Sequence, residues 1–297
     1  MHVWSFFRWP SQIPSGQRRL WRLAAAGAVV AATTAGIGLA GYACWARPRP
    51  VPPTEIFRGI IYTCESMNLK ECRGLVHLVQ VDLSATGIGL YLTPLDPLAV
   101  SRGYQYRLAN PATVLRREDL AIVVNGAFFS AESGFFYRPG DLARGVQTVI
   151  VEGEVSHVDP NSYMLWFEPD RTPHLESNKP PAEAVLRRAR WAIGGGAVPL
   201  WNGHVRESGA GHDMDRRTAV GINSSRRLLW LAVFESASSL AVAEVLKEHG
   251  VQDGFLLDGG HSTTMVLGPK AAHVRSGPLL GGSRPVATVL GIRAETL

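Results

Sequence analysis

The sequence predicts an α+β fold that is mostly β, with a mixed sheet, a few helices and a βαβ unit near the carboxyl terminus. Short apolar or alternating runs bounded by turn residues recur from residue 75 onward, and each has the length of a single strand. In the carboxyl third, a buried strand, a helix and a second buried strand follow one another. This order is typical of two parallel strands joined by a helical crossover.

The elements before residue 210 are short and mainly extended. Strand patterns are LVHLVQVDL (75–83), IGLYL (88–92), AIVV (121–124), VQTVIV (146–151) and YMLWF (163–167). PAEAVLRRA (181–189) has the composition and spacing of a helix. VPLWNGHV (198–205) predicts a hairpin that turns on Asn202-Gly203, because Asn-Gly suits a two-residue hairpin turn.

The carboxyl third gives the clearest pattern. TAVGI (218–222) and LLWLAVF (228–234) predict an antiparallel hairpin, whose second strand is apolar on both faces and should therefore be central. A helix capped by Ser238 or Ser239 should end at Gly250. GFLL (254–257) then completes the βαβ unit, and PVATVLGIR (285–293) forms the last strand.

The first fifty residues differ from the rest. They contain six arginines and no lysine or acidic residue, so the net charge of +5 becomes −1 for the remaining chain. Leu23–Trp45 carries no charge and is long enough to span a bilayer. More arginines precede than follow this stretch, which predicts a single-pass anchor with residues 1–22 in the cytoplasm and the domain outside it, periplasmic or extracellular. A cleavable signal peptide is the alternative.

Proline marks the junction between anchor and domain. RPRPVPPTE (47–55) has four prolines in nine residues, so residues 46–56 are predicted to form a stiff spacer. Residues 57–297 suffice for one large domain, although two small domains remain an alternative. The membrane is the expected partner through residues 23–45. Nucleic acid is not, because the downstream chain has no basic cluster with interleaved aromatic residues.

The cysteines bear on the cellular compartment. Cys64 and Cys72 flank a short polar segment in the part predicted to face an oxidising space, so a disulfide between them is plausible. Two free thiols are almost equally compatible with the sequence. A disulfide closing so short a loop would add roughly 2.5 kcal/mol of stability and would carry no catalytic implication.

Two carboxylates and an arginine are predicted to converge at one sheet edge. Parallel strands of a βαβ unit end on the same edge, where open sheets bind ligands, and Glu235 and Asp258 both follow such strands. If the hairpin pairs Ile222 with Leu228, then Arg217 lies opposite Val233 and beside Glu235. Neighbouring strands are about 4.8 Å apart, which is close to the carboxylate separations used in glycoside hydrolysis, although a strand inserted between the two would widen the gap.

Further polar groups should lie near the same edge. Asn125 follows the strand at 121–124 and could donate a hydrogen bond to a sugar hydroxyl. Gly259 and Gly260 allow a sharp turn with exposed N–H groups that suit an anion, and His261 and Ser262 extend into the same space.

Each of these residues also has a purely structural interpretation. Arg217 could pair with Asp213 or Asp215 on the surface, Glu235 could be a turn acid, and Asn125-Gly126 could be only a turn. Asp258 is harder to explain in this way, because a carboxylate placed by a buried strand is costly unless it is used. His212, Asp213 and Asp215 could bind a metal, but their spacing matches no common metal motif, so a solvated loop is favoured.

Five segments in order carry a family resemblance: NGAFF (125–129), WAIGGG with the following NG turn (191–203), RRTAVGI (216–222), LLDGGHSTTMVLG (256–268) and RPVATVLGI (284–292). This order resembles the phosphodiester glycosidases over roughly residues 75–293. The resemblance implies that Asn125, Arg217 and Asp258 are active-site positions. The chain departs from the family pattern at His261, where a glycine is common, and at Glu235, where an aspartate is commoner.

The hypothesis that follows is hydrolysis at the anomeric carbon of a sugar-1-phosphodiester in an envelope or other extracytoplasmic glycan. Arg217 and the N–H groups of Gly259 and Gly260 would neutralise the phosphate, Asp258 would stabilise the oxocarbenium charge or activate water, and Glu235 would be the partner acid or base. The scheme requires no cofactor and no metal. The rivals are a membrane-tethered carbohydrate-binding or envelope-assembly protein without turnover, and a metal-dependent hydrolase.

Overall fold

A computed structural model describes residues 50–297 apart from Phe135, Asn178 and residues 207–211. The predicted cytoplasmic segment 1–22 and membrane span 23–45 therefore lie outside the described residues. Within the described part, no helix combines the length and the apolar character needed to cross a membrane. The described residues belong to one compact unit.

The largest sheet has eight strands and contains the predicted hairpin. In spatial order the strands are β1 (Val51–Phe57), β2 (Ile60–Asn68), β3 (Cys72–Asp82), β17 (Leu228–Ala237), β16 (Asp215–Asn223), β18 (Asp253–Leu256), β14 (Leu200–Trp201) and β15 (His204–Val205). As its pattern predicts, β17 is a central strand between β3 and β16. The hairpin of β14 and β15 turns on Asn202 and Gly203, which both have positive φ.

Three smaller sheets complete the β structure. The first contains β10 (Glu154–His157), β9 (Val149–Val151), β13 (Trp191–Gly195), β11 (Tyr163–Phe167) and β12 (Pro173–Glu176). The second contains β20 (Gly277–Leu280), β19 (Met265–Leu267), β6 (Ile122–Asn125), β21 (Val289–Arg293) and β4 (Gly89–Leu92). The third contains β5 (Tyr106–Arg107), β8 (Leu142–Gly145) and β7 (Phe129–Ala131).

Four short helices accompany these strands in the described residues: α1 (Pro97–Val100), α2 (Pro111–Arg117), α3 (Glu183–Arg188) and α4 (Ser239–Glu248). The predicted helices correspond to α3 and α4. Ser238 caps α4 by accepting a hydrogen bond from the Ala241 N–H. The described part of the chain is therefore mostly β with few helices, as the sequence predicts.

The prediction of a mixed sheet is wrong for the described residues, because all neighbouring strands there pair antiparallel. β17 and β18 do run parallel to each other, since each is antiparallel to β16. However, β16 lies between them. The βαβ unit is thus a crossover that skips one strand, and its two carboxyl ends are about two strand spacings apart.

The sheets enclose one main apolar core. Its residues come from three of the sheets, for example Val79 and Leu231, Ile122 and Leu290, and Leu165 and Ile193. A second cluster fills the other face of the eight-stranded sheet, where Val242 and Leu246 of α4 cover Ala219 and Phe234. Because consecutive strand residues point to opposite faces, the two clusters show which side chains of β16 and β17 face the main core.

The register of the predicted hairpin is wrong by one residue. Ile222 pairs with Leu229 rather than Leu228, and Arg217 pairs with Phe234 rather than Val233. A 3-10 turn at Ser224–Arg226, followed by Arg227 with φ of +53°, connects the strands. Asn223 therefore belongs to β16 and pairs with Leu228, whereas the sequence interpretation placed Asn223 in the turn.

At the start of the domain, the structure corrects the predicted spacer and decides between the two alternatives for the cysteines. Within the predicted spacer 46–56, the residues from Val51 onward belong to the edge strand β1, which pairs with β2. Prolines are compatible with an edge strand because one side of it needs no donors. Cys64 and Cys72 are free thiols, not a disulfide. Cys64 faces the main core and Cys72 faces the α4 side, so the sheet separates them.

His77 gives the fold a testable dependence on pH. This β3 residue is fully buried, its Nδ1 lies 2.8 Å from the Tyr62 hydroxyl, and burial lowers its pKa to about 4. In the unfolded chain the imidazole would accept a proton near its ordinary pKa of 6.5. Stability should therefore fall by roughly 3 kcal/mol between pH 6.5 and pH 4 from this group alone.

Denaturant unfolding of wild type and His77→Gln at pH 7 and pH 4 measures this contribution. Glutamine keeps a polar partner for Tyr62 but does not titrate, so the variant should lose less stability on acidification than wild type does. An equal loss in both proteins would contradict the assignment, because other titrating groups are common to the two.

Candidate active site

Asp258 lies where β18 leaves the eight-stranded sheet. Its N–H donates to the Gly126 carbonyl at 3.2 Å, which directs the chain toward the end of β6. A 3-10 turn over Gly260–Ser262 follows, with φ of +58° at Gly260. At Gly259 a side chain would be crowded, because a Cβ there would lie 3.0 Å from the Arg216 carbonyl oxygen. The two glycines thus allow a tight turn close to β16.

The Asp258 carboxyl is a perturbed acid. Burial raises its pKa, while a hydrogen bond from Ser262, the Gly259 N–H and the charge of Arg284 act in the opposite direction. The Gly259 N–H therefore donates to the Asp258 carboxyl and not, as the sequence analysis had it, to a substrate anion. Catalytic acids and nucleophiles commonly have a partly buried carboxyl with a raised pKa beside a polar cleft.

Asn125 holds Asp258 rather than facing solvent. It is fully buried, and its Nδ2 donates to the Asp258 carbonyl at 2.6 Å. Its Oδ1 accepts from the Thr218 hydroxyl at 2.7 Å and from the Thr264 N–H at 3.0 Å. The amide therefore links β6, β16 and the segment after β18. Asn125 therefore contacts Asp258 from the protein interior, where it has no access to a sugar hydroxyl.

A cationic cleft lies next to this polar network. Its volume is about 440 Å³. The lining residues are Phe136, Tyr137, Arg138, Arg216, His261, Gly281, Ser283, Arg284 and Pro285. Arg284 connects the cleft with the carboxyl, because it lines the cleft and its charge acts on Asp258. Three arginines and a histidine in one cleft suit an anionic ligand such as a phosphate ester.

Arg217 lies outside this cleft. Its Nε donates to the Ala237 carbonyl at 3.2 Å and its Nη2 to the Asp213 carbonyl at 2.8 Å. Thr218, the next residue, bonds to Asn125, so alternation directs Arg217 to the opposite face of β16. The structure therefore brings Arg216, rather than Arg217, to the cleft.

Glu235 is also separated from Asp258. It lies where β17 bulges relative to β16, its side chain is exposed, and its Oε2 accepts from the Leu75 N–H at 2.9 Å. The carboxylate thus points toward β3, whereas β16 and β18 lie on the other side of β17. The predicted acid pair on adjacent strands does not form.

The remaining predicted residues are divided between the cleft and its surroundings. His261 lines the cleft, and Ser262 is buried and bonds to Asp258. His212 lies 3.1 Å from a carboxylate oxygen of Glu71. Among the residues with described positions, no group of three or more His, Cys, Asp or Glu side chains could hold a metal ion.

Sequence reasoning missed Arg216 and Arg284. Arg216 stands beside the chosen Arg217 in the RRTAVGI segment, and Arg284 begins the RPVATVLGI segment. Both were thus within the motifs that carried the resemblance. The sequence does not show on which face of β16 each arginine lies, because residues 218–222 of this strand are buried on both faces and their apolar pattern does not tell the two faces apart.

Solved structures share this fold at low sequence identity. The catalytic domain of zebrafish N-acetylglucosamine-1-phosphodiester α-N-acetylglucosaminidase, auto-inhibited by its pro-peptide, matches with a TM-score of 0.55 and 17% identity, covering 83% of this chain and 86% of that chain. A hypothetical protein from Synechocystis matches with a TM-score of 0.53 and 13% identity over 80% of this chain. This chain spans only 62% of the Synechocystis protein.

A putative exported protein from Burkholderia pseudomallei matches with a TM-score of 0.51 and 12% identity, covering 78% of this chain and 74% of that chain. No curated protein matches the sequence significantly. The family model for phosphodiester glycosidase matches residues 118–293, which include Asn125, Asp258 and the arginines of the cleft. This match covers more than half of the chain, and the protein belongs to the phosphodiester glycosidase family.

Proposed function

We propose that this protein hydrolyses the bond between the anomeric carbon and the phosphate of a sugar-1-phosphodiester. One observation carries the proposal: a half-buried carboxyl with a raised pKa lies beside a cleft lined by three arginines, one of which acts directly on that carboxyl. Family membership gives the same reaction type. The cleft and the neighbouring Asp258 would supply the two groups that the proposed reaction uses, which are an anion site and a carboxylate beside it.

The proposed roles follow from the positions of the side chains. Arg284 and Arg216 bind the phosphoryl oxygens and stabilise the phosphate as it leaves the sugar. Asp258, in its ionised form, stabilises the positive charge that develops at the anomeric carbon or directs water to it. Asn125 holds the backbone of Asp258 in place. Water adds its hydroxyl to the sugar and its proton to the phosphate, so the products are a free sugar and a phosphomonoester.

Glu235 has no part in this scheme. Its carboxylate is bound to the Leu75 N–H on the far side of β17. A strong general acid is also less necessary here than in most glycosidases, because a phosphate whose charge is neutralised by arginine is a good leaving group.

The experiment is hydrolysis of a panel of sugar-1-phosphodiesters by the purified protein in water enriched in oxygen-18. The expected result is release of free sugar with the heavy oxygen on the anomeric carbon, and no release by Asp258→Asn. Label in the phosphate would instead mean cleavage of the phosphorus–oxygen bond and would overturn the glycosidase assignment. Glycan binding without any product would favour the non-catalytic carbohydrate-binding alternative.

The cellular location is part of the proposal. We infer that the domain acts outside the cytoplasm on an envelope glycan, tethered by residues 23–45. The support is the uncharged length of that segment and the arginines before it. Protease added to intact cells or spheroplasts should digest the domain and spare an amino-terminal fragment. Protection of the domain under these conditions would disprove the orientation.

A further inference from the structure

We propose that Tyr137 is a positioning residue for the anion site, and that it holds the Arg284 guanidinium in the orientation that binds the phosphate. The inference rests on the proposed function. The two residues come from different loops: Tyr137 lies between β7 and β8, and Arg284 lies between β20 and β21. The guanidinium carbon of Arg284 is 4.0 Å from the centre of the Tyr137 ring.

Arg284 has few other contacts that could fix its side chain. With the described residues it forms neither a hydrogen bond nor an ion pair within bonding distance, and its Nε is buried without an acceptor. Arg217 is the opposite case, since two backbone carbonyls hold its guanidinium. A guanidinium that packs on a ring and lacks a hydrogen-bonding partner keeps its donors for a ligand, and a phosphate supplies the acceptors that the protein does not.

The Tyr137 ring also packs beside Phe129 and against an apolar cluster that includes Ala287. The backbone around Arg284, however, is fixed by contacts that do not involve Tyr137. The Gly282 N–H donates to the Thr264 hydroxyl at 3.0 Å, and the Asn110 side-chain amide donates to the Ser283 carbonyl at 3.4 Å. Val286 forms an isolated bridge with Ala109. Loss of the Tyr137 ring would thus leave the loop in place but free the guanidinium to adopt other rotamers.

The consequence is a specific loss of anion affinity. A cation–π contact at a partly desolvated site contributes enough that its removal should weaken phosphate binding about five- to tenfold. The phenol hydroxyl does not contribute to the cation–π contact, so phenylalanine should retain most of the phosphate affinity. If the ring only covered the core, Tyr137→Ala would lower the free energy of unfolding and leave the phosphate affinity of the folded protein unchanged.

Calorimetric binding of inorganic phosphate to wild type, Tyr137→Phe and Tyr137→Ala tests the proposal. Tyr104→Ala is the matched control, because Arg144 packs on the Tyr104 ring at 4.6 Å and neither residue lines the cleft. We expect Tyr137→Ala to raise the Kd about five- to tenfold, Tyr137→Phe to lie within about twofold of wild type, and Tyr104→Ala to have no effect. Equal affinity in wild type and Tyr137→Ala would overturn the inference, as would absence of phosphate binding by wild type.

Kinetic measurements separate this inference from the proposed function. On a sugar-1-phosphodiester, Tyr137→Ala should raise KM more than it lowers kcat, because the contact acts on binding of the phosphate. If the wild type binds phosphate through the Tyr137–Arg284 pair but releases no sugar, the proposed function fails and the anion site stands. If sugar is released and Tyr137→Ala has wild-type KM and Kd, the proposed function stands and the role of Tyr137 is refuted.

Discussion

Replacing Asp258 with asparagine is expected to reduce turnover of a sugar-1-phosphodiester by at least about 10⁴-fold and to leave the protein folded. Asparagine keeps the shape of the side chain and the backbone hydrogen bond that Asn125 makes to residue 258. It removes the negative charge that the mechanism requires. Sugar release and chemical denaturation of the same preparations measure the two effects.

The stability of this variant should not fall at neutral pH. Burial raises the pKa of Asp258, which means that the fold disfavours the ionised carboxylate relative to the unfolded chain. Such a group contributes a destabilisation that is present above its folded pKa and disappears as the pH falls below its ordinary pKa. The neutral amide of asparagine removes this destabilisation. A marked loss of stability in Asp258→Asn would show that the carboxylate is held for structural reasons.

The same carboxyl should determine the acid side of the pH–rate profile. If the ionised form is needed, activity should fall at a pH above the ordinary pKa of an aspartate. Ser262→Ala removes a hydrogen bond that favours the charged form, so the acid limb should move to still higher pH. An acid limb that is the same in Ser262→Ala and wild type would mean that another group controls the profile.

The sequence predicts the elements of this fold better than their arrangement. Strand patterns depend on local alternation, and β3, β6, β11, β16, β17 and β18 all occur where such patterns stand. The start of α4 follows equally from a local signal, the cap at Ser238. Both α1 and α2 were missed, although each begins with a proline after a capping residue, Asp96 or Asn110.

Strand order and side-chain facing depend on distant parts of the chain. Nothing local indicates that β16 lies between β17 and β18, and this insertion is what separates Glu235 from Asp258. A one-residue error in register is enough to exchange the faces of neighbouring side chains. The position of Asp258 could be predicted from the sequence, because the prediction requires only that a buried strand ends there. The position of Arg284 was not, since it depends on how the loop before β21 packs against the turn after β18.

Replacing each of the two adjacent arginines of β16 with alanine should affect a different property, which is activity for Arg216 and stability for Arg217. Arg216→Ala removes a cation that lines the cleft, so kcat/KM should fall by between about 10² and 10³, and the free energy of unfolding should change little because the side chain is exposed. Arg217→Ala removes the donors to the Ala237 and Asp213 carbonyls. It should lower the free energy of unfolding by about 2 kcal/mol, and its kinetic effect should be the smaller of the two.

Comparing these two variants tests the structure against the family resemblance. The resemblance alone places Arg217 in the active site, whereas the structure places Arg216 in the cleft. The two variants differ by one position and by the same chemical change, so each serves as the control for the other. A large kinetic loss in a stable Arg217→Ala protein, together with near wild-type activity in Arg216→Ala, would show that Arg217 faces the substrate. In that case its side chain would have to leave the two carbonyls when substrate binds, and the anion site would be built from Arg217 and Arg284.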